Sequence, residues 1–373
     1  MKELPKLYDL LTLCARAQAN PAHYDRLREA AEKLPSWDNL PHLAELHSIA
    51  PLVYTHLQAA KIDIPKSAEN DLKAHYLRHN HANRIRTRAL AEVLKAFQDA
   101  DIQVLVLKGM AVAHLVYPHP RLRPMSDIDL LVSKGNAQEA QAQLKKLGFS
   151  MQAPGKNDFE HHHLPPASRQ INGIPIHIEI HHNLSRKQSP TTNFEALYPR
   201  AIPFNLSGVP AHALGYADML AHTYNHLVEA PFQSFRLIWI ADMVSLIEKF
   251  ADQVDWERVP PRVSNLLPLL SEMPPFNLTL LENAHHPKHL RGYPFNVLPA
   301  QNKKEYLNNI PKAFNPSLWW LRLHYGIFPD YLLLAVRVWH TLHLLWWGIR
   351  FRGLPQITRR FKEYIRGTLH LRK

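Results

Sequence analysis

Only one cysteine, Cys14, occurs in 373 residues. That excludes a disulfide framework and any cysteine-built zinc site within a single chain. It fits a reducing compartment, so a cytoplasmic location is expected. A signal peptide is not expected either: Met1-Lys2-Glu3-Leu4-Pro5 has neither the continuous apolar run nor the small-residue cleavage site of one. No internal repeat and no low-complexity segment is present. One stretch, Tyr331 to Ile349, approaches the length of a membrane span, but Arg337, His340 and His343 interrupt it. A central arginine alone costs ~2.5–3.5 kcal/mol on insertion scales, which argues against crossing. Two readings of this tail stay open. It forms an amphipathic helix on an anionic membrane surface, at the inner face of the membrane, or it packs on a helical domain.

Acidic residues are also in deficit. The formal net charge is +12 and the sequence pI is near 9.6. Such an excess invites a nucleic-acid or membrane reading, yet its distribution is uneven. Residues 350–373 hold eight arginines and lysines (Arg350, Arg352, Arg359, Arg360, Lys362, Arg366, Arg372, Lys373) against Glu363. The rest of the chain is only mildly basic. Nucleic acid is therefore an open partner without a specific motif behind it.

The pattern of apolar residues divides the chain into a helical domain (1–98), an α/β core (99–205), a second helical domain (206–313) and an aromatic, basic tail (314–373). In the first part, Leu72, Tyr76, Ile85, Ala89, Val93, Leu94 and Phe97 recur at helical steps, with Pro65 and Ser67 at the start. The pattern then changes to the short apolar run Ile102–Leu107, which ends at Lys108-Gly109 as a buried strand would. A helix from Met110 to Tyr117 follows, and Pro118 and Pro120 stop it. Asp127 to Val132 reads as a second strand, 136–147 as an amphipathic helix, and Ile174 to His181 as a third strand. In the last, the isoleucines face one side and His177, Glu179 and His181 the other. From about 211 the pattern is helical again.

Asp127 and Asp129 are two apart on a strand, so their side chains leave one face while Ile128 points to the core. Adjacent carboxylates repel unless a cation lies between them. Mg²⁺ is the expected ion, with Mn²⁺ as an option, because it takes oxygen ligands and leaves positions for water and phosphate. Glu179 adds a third carboxylate, and three such groups can hold two metal ions. Asp-x-Asp alone equally describes two solvated acids. The upstream Lys108-Gly109 adds weight, since a strand that opens directly into a helix presents free backbone N–H groups to phosphate, and glycine lets the backbone approach closely. Lys108 is placed to neutralise phosphate charge, and Arg123 is a candidate bidentate phosphate ligand.

Other polar residues allow blander readings. His161-His162-His163 point in different directions and read as a polar loop. His222 and His226 share a helix face with Asp218, for packing, a metal or an acceptor pocket. His181, beside Glu179, is placed to contact substrate or assist deprotonation. Asp242, in an apolar helix, must be paired or exposed: it reads as a structural ion pair, with Arg236 six residues earlier, or as an acceptor-binding acid.

Val104 to Gly109, then Tyr117-Pro118, then Arg123-Pro124-Met125-Ser126-Asp127-Ile128-Asp129-Leu130-Leu131-Val132 resemble the uncharacterised bacterial nucleotidyltransferase family of the DNA polymerase β superfamily. The likeness extends to Leu72–Asn80, Ile178–His181, Phe235–Asp242 and Asp255-Trp256. It implies an α+β fold, a small mixed-sheet core flanked by N- and C-terminal helical regions. It implies transfer of a nucleoside monophosphate from a nucleoside triphosphate, with ATP the expected donor, to an unidentified acceptor. By the same resemblance Asp127 and Asp129 bind both metals, Glu179 completes the site, and the amides at Gly109 hold the β- and γ-phosphates. One departure is Met110, where the superfamily usually has serine or glycine. Ser126 is the hydroxyl that takes its place. The rival expectations are a catalytically weak nucleotide-binding protein and an adaptor that binds an anionic membrane or nucleic acid through the basic tail.

Overall fold

In the computed structural model the described residues are 3–151, 162–184, 189–228, 236–264, 314–316, 318–325 and 328–352. His161, Phe235, the expected helical region after 264 up to 313, and residues 353–373 of the basic tail lie outside them. Backbone contacts gather the chain into two units, one of Met1–Asn225, Leu237–Ser264 and Leu270–Thr279, the other of His226–Arg236, Asn265–Leu269 and Leu280–Lys373.

The first unit begins with helices α1 (Glu3–Leu13), α2 (Pro21–Glu32), α3 (Leu40–Leu46), α4 (Ala50–Ala59) and α5 (Lys66–Asp99). Their starts follow local chemistry. Asn20 accepts a hydrogen bond from the His23 amide at 2.8 Å, and Pro21 supplies the preset φ of a first helical position. The long α5 starts directly after Pro65, as the sequence predicts, and buries Leu72, Ile85, Ala89, Leu90, Val93, Leu94 and Phe97 on one stripe. Asn83 and Arg86 are buried on that same stripe.

After α5 the chain forms a mixed sheet. Its strands are β1 (Val104–Val106), β2 (Asp127–Val132), β3 (Ser150–Met151), β4 (Ala167–Ile171), β5 (Ile174–His181), β6 (Ile202–Leu206) and β7 (Val209–Ala213), in the order β3-β4-β5-β2-β1-β7-β6. Helix α6 (Lys108–Leu115) connects β1 to the loop before β2, and α7 (Ala137–Lys146) follows β2. Asp127–Val132 and Ile174–His181 have the predicted bounds. The first strand is shorter than 102–107, because Leu107 already caps α6. The second helical stretch starts later than predicted. A short α8 (Phe194–Leu197) and the β6–β7 hairpin come first, the hairpin turning at Gly208 with φ 90°. β7 joins the sheet beside β1 in parallel, at Val106↔Ala213. Helix α9 (Tyr216–Val228) begins in this unit, and α10 (Leu237–Phe250) and α11 (Pro261–Ser264) follow in it.

A polar cluster ties α10 to the N-terminal helices. Arg16, 3% exposed, donates to His23 Nδ1 at 2.9 Å and pairs with Glu248 on α10. His23 Nε2 donates to the Leu13 carbonyl at 2.7 Å, His56 Nε2 to that of Arg16 at 2.8 Å, and the Ala17 amide to Ser245 Oγ at 2.8 Å. These bonds define His23 as neutral, with its proton on Nε2, because Nδ1 accepts from a guanidinium.

In the second unit, α12 (Leu318–Tyr325) packs against α13 (Leu333–Arg352) after a 3-10 turn, Asp330–Leu332. Arg322 pairs with Asp330 at 2.6 Å, and the Tyr325 hydroxyl meets His340 Nδ1 at 2.9 Å. Among the described residues no helix is long and apolar enough to cross a membrane.

Acid should loosen the first unit. Burial, and then the charge of Arg16, push the His23 pKa down to about 4; burial alone does the same for His114. Below about pH 6.5 the unfolded chain takes up protons that the folded chain refuses until about pH 4, so stability falls with pH across that window. At pH 5 the loss is on the order of 1–2 kcal/mol for each histidine. Urea midpoints at pH 7 and pH 5 should differ accordingly, and His23→Gln should shrink the difference. Identical midpoints would contradict this account.

Candidate metal and nucleotide site

Parallel pairing of β2 with β5 sets the geometry. Asp129 lies directly opposite Glu179, and Asp127 opposite His177. Alternation along each strand sends Ile128, Leu130, Ile178 and Ile180 to a buried apolar face. The carboxylates and His181 are left together on the other. His181 Nε2 is 2.9 Å from Asp129 Oδ1 and 3.6 Å from Glu179 Oε2, and Lys108 Nζ is 3.0 Å from the same Asp129 oxygen. One ligand atom each from Asp129, Glu179 and His181 lie within 4.8 Å of one another. Ligands at ~2.1 Å from one small cation are ~3–4 Å apart, so this set fits a divalent ion after small shifts. Asp127 is not in that trio. It lies exposed at the start of β2, where Ser126 Oγ donates to its Oδ1 at 3.3 Å.

The charges are coupled. Burial works to raise the Asp129 pKa, but Lys108 and the hydrogen bond from His181 outweigh it and hold the carboxyl well below its usual range. Burial likewise disfavours the charged forms of Lys108 and His181. The neighbouring acids overcome this and raise both pKa values. The hydrogen bond from His181 lowers Glu179. Asp127 goes the other way: partial desolvation, then the charges of Asp129 and Glu179, push it up. Lys108 and the hydrogen bond from His181 thus favour the charged form of one buried carboxylate, while that of the outer acid is disfavoured.

The turn before the acids is built more tightly than the sequence suggests. Lys108 has φ 44°, an unusual value for a residue with a side chain, and it aims Nζ at Asp129. Gly109 is needed for a reason other than the one predicted. A Cβ there would lie 2.3 Å from Arg123 Nη1, so the glycine makes room for a guanidinium. Arg123 itself, expected at the phosphates, is turned inward. Its Nη2 donates to Asp242 Oδ2 at 2.7 Å, Nε to the same carboxylate, and Nη1 to the Pro124 carbonyl at 3.1 Å. The Tyr117 hydroxyl also donates to Asp242, at 2.8 Å. With its donors directed to a buried carboxylate, Arg123 serves as a brace between the β2 approach and α10. Asp242 is therefore ion-paired, as expected, but with Arg123 in place of Arg236. On the same helix Lys249 donates to the Leu115 carbonyl at 2.8 Å, satisfying the open end of α6.

Met110 is 1% exposed, so the position where the superfamily has a small residue serves the core here. His162 and His163, expected in a polar loop, lie against the site: their ring centroids are 5.3 and 5.2 Å from that of His181. Asp218 pairs with Arg200. Sequence reasoning missed Arg86. It is buried on α5, feels the charge of Asp127, and leaves Nε without a hydrogen-bond partner among the described residues. A cation on the buried stripe of a helix was the available signal.

Residues 33–267 match the model of a family described as uncharacterised nucleotidyltransferase. The chain belongs to this family. It is accordingly a transferase of the nucleotidyl class, with a nucleotide as one substrate and an acceptor as the other. No curated protein matches it. Among solved structures, the solution structure of the antibiotic-resistance factor ANT(2'')-Ia is similar over 47% of this chain and 90% of its own, with 15% identity and a TM-score of 0.34. The crystal structure of ANT(2")-Ia with adenylyl-2"-tobramycin gives 14% identity, coverage of 47% and 95%, and a TM-score of 0.34. A nucleotidyltransferase-like protein from Paracoccidioides brasiliensis gives 16%, 50% and 90%, and 0.36.

In this nucleotidyltransferase the Arg123–Asp242 brace should be costly to break from one side. Removing one partner of a buried pair typically costs ~3–5 kcal/mol, because the other charge is stranded. Asp242→Asn and Arg123→Met should each lower the thermal midpoint clearly. The double variant should lose less than the sum of the two. Additive losses in calorimetry would show that the pair does not act as a unit.

Proposed function

We propose that this chain transfers a nucleoside monophosphate from a nucleoside triphosphate, ATP being the expected donor, to an acceptor oxygen or comparable nucleophile. The single observation that carries the reading is the register of Asp129 against Glu179, with Lys108 closing the site from the turn at α6. Asp127, Asp129 and Glu179 would hold Mg²⁺, or Mn²⁺, and His181 is a fourth donor beside them. When bound, such ions supply charge for the reacting phosphate and lower the proton affinity of the attacking oxygen.

Each residue of the chain then has a definable task. His181, hydrogen-bonded to Asp129 and Glu179, fixes the orientation of both carboxylates. Lys108, which donates to Asp129, is the cation that would meet the triphosphate if the acids held metal. The first amides of α6, at Lys108, Gly109 and Met110, face the positive end of the helix toward the β- and γ-phosphates. Ser126 turns its hydroxyl from Asp127 to a phosphate oxygen, and Arg86 balances the charge near Asp127 in the role expected of Arg123. The acceptor oxygen forms a bond to the α-phosphorus as the bond to the β-phosphate oxygen breaks. Pyrophosphate leaves with that electron pair, and the acceptor's proton passes to a site base or water.

The test is incubation of the full chain with each α-labelled nucleoside triphosphate, a divalent cation and cell extract. Label should enter an acceptor. Asp129→Asn should reduce it by at least about a hundredfold, beyond the ~10–100-fold usual for outer-shell partners. Labelling that survives Asp129→Asn unchanged would sink the proposal. His181→Gln separates holding a metal from mere support. Mn²⁺ bound to the parent chain should show nitrogen coupling in its electron spin-echo spectrum, which His181→Gln removes. If the coupling is absent from the parent, His181 positions the acids without ligating. Lys108→Met should raise KM for the triphosphate more than it lowers kcat, whereas a purely structural lysine would change neither selectively.

A further inference from the structure

In the described residues, nine large hydrophobic side chains are exposed, and all but Leu77 fall between Tyr331 and Trp346. They do not scatter around α13. Tyr331, Leu334, Val338, Leu342 and Leu345 recur at three- and four-residue steps, with Trp339 and Trp346 beside them. At 3.6 residues per turn they cover an arc of roughly 140°. Leu334 is 75% exposed, Trp339 61% and Leu342 55%. Every residue classed as exposed from 331 to 346 is apolar, Ala335 included.

His343 flanks the row, its ring 6.2 Å from that of Trp346, and the other polar residues of the helix point away from it. His340 is fully buried against Tyr325, Arg337 pairs with Asn315 and donates to the Pro316 carbonyl at 3.1 Å, and Thr341 bonds back to the Arg337 carbonyl. A helix on a water-soluble surface has the reverse order. Contiguous exposed apolar area on this scale marks an interaction site.

Charge identifies the occupant. The row contains no ionised group, yet the chain directly after it, residues 350–373, holds eight arginines and lysines and one acid. A bilayer with anionic lipids matches both features: acyl chains for the leucines, the interface for Tyr331, Trp339 and Trp346, and headgroup charge for the tail. We propose that α13 lies in the plane of an anionic membrane surface with this row immersed. Arg337 and His340 on the back of the helix keep it from crossing. This placement does not depend on the transferase reading.

The full chain should bind vesicles of phosphatidylcholine with about a third phosphatidylserine at least about tenfold more tightly than phosphatidylcholine alone. Brominated acyl chains should quench its tryptophan fluorescence. In the Trp339→Phe/Trp346→Phe variant, binding should persist while most of the quenching is lost. Val338→Glu/Leu342→Glu should weaken binding by about tenfold or more, with circular dichroism unchanged. If that pair disturbs folding, the phenylalanine variant decides alone. Three results would overturn the proposal: no preference for anionic vesicles, binding without quenching, or binding indifferent to the glutamates. A dimer that the glutamates convert to monomer would instead make a second copy the occupant. RNA that displaces the vesicles completely would assign the segment to nucleic acid.

Discussion

The buried carboxylate of Asp129 is the constraint around which the first unit is organised. A charge at 3% exposure is tolerable only with partners, since desolvation costs several kcal/mol per ion. Lys108 and His181 supply them from two different elements. Lys108 does so from a residue with φ 44°, a conformation that costs of order 1–3 kcal/mol. The ion pair and the register of β2 against β5 are what hold that conformation. In return the pair fixes where α6 begins, and so where its free amides point. The neutralising cations are protein groups that a metal and a triphosphate can replace.

A second buried ion pair keeps that arrangement in place. Arg123 reaches past Gly109 to Asp242, so the turn, the loop before β2 and α10 are one polar junction within an apolar interior. Tyr117, just beyond α6, extends it by donating to Asp242, and Lys249 by donating to the Leu115 carbonyl at the end of that helix. Gly109 then has a packing role that any larger residue would violate, independent of what binds in front of it. Gly109 and Arg123, both candidates for the nucleotide site in the sequence, are also packed against each other.

Much of this was legible in the sequence where a local rule decides the outcome. Alternation at Asp127–Val132 and Ile174–His181 gave the bounds of both central strands and the shared face of Asp129, Glu179 and His181. Pro65 marked the start of α5. Other features depend on pairings across more than a hundred residues, which no period encodes: the Arg123–Asp242 bond spans 119 positions. The hairpin of β6 and β7 was missed because Pro203 and Pro210 interrupt its alternation; Pro203 is on the edge strand, and β7 pairs with β1 only at Ala213, beyond Pro210. His162 and His163 read as loop residues, since a run of histidines has no facing direction until a strand such as β5 lies beside it. Arg86 was hidden by the strength of the helical pattern around it.

The two units differ in how they use polar groups. In the first, charge is brought inside and paired, and the surface of the sheet is left for chemistry. In α13 the polar residues are also inside, but the outer face is left apolar. His340–Tyr325 and the Arg337 contacts hold the helix in this orientation, with Leu344 buried on the back face. Such an orientation is maintained when something other than water meets the helix. A transferase carried on a surface in this way would meet its acceptor in two dimensions, where weak affinity in solution still gives high occupancy.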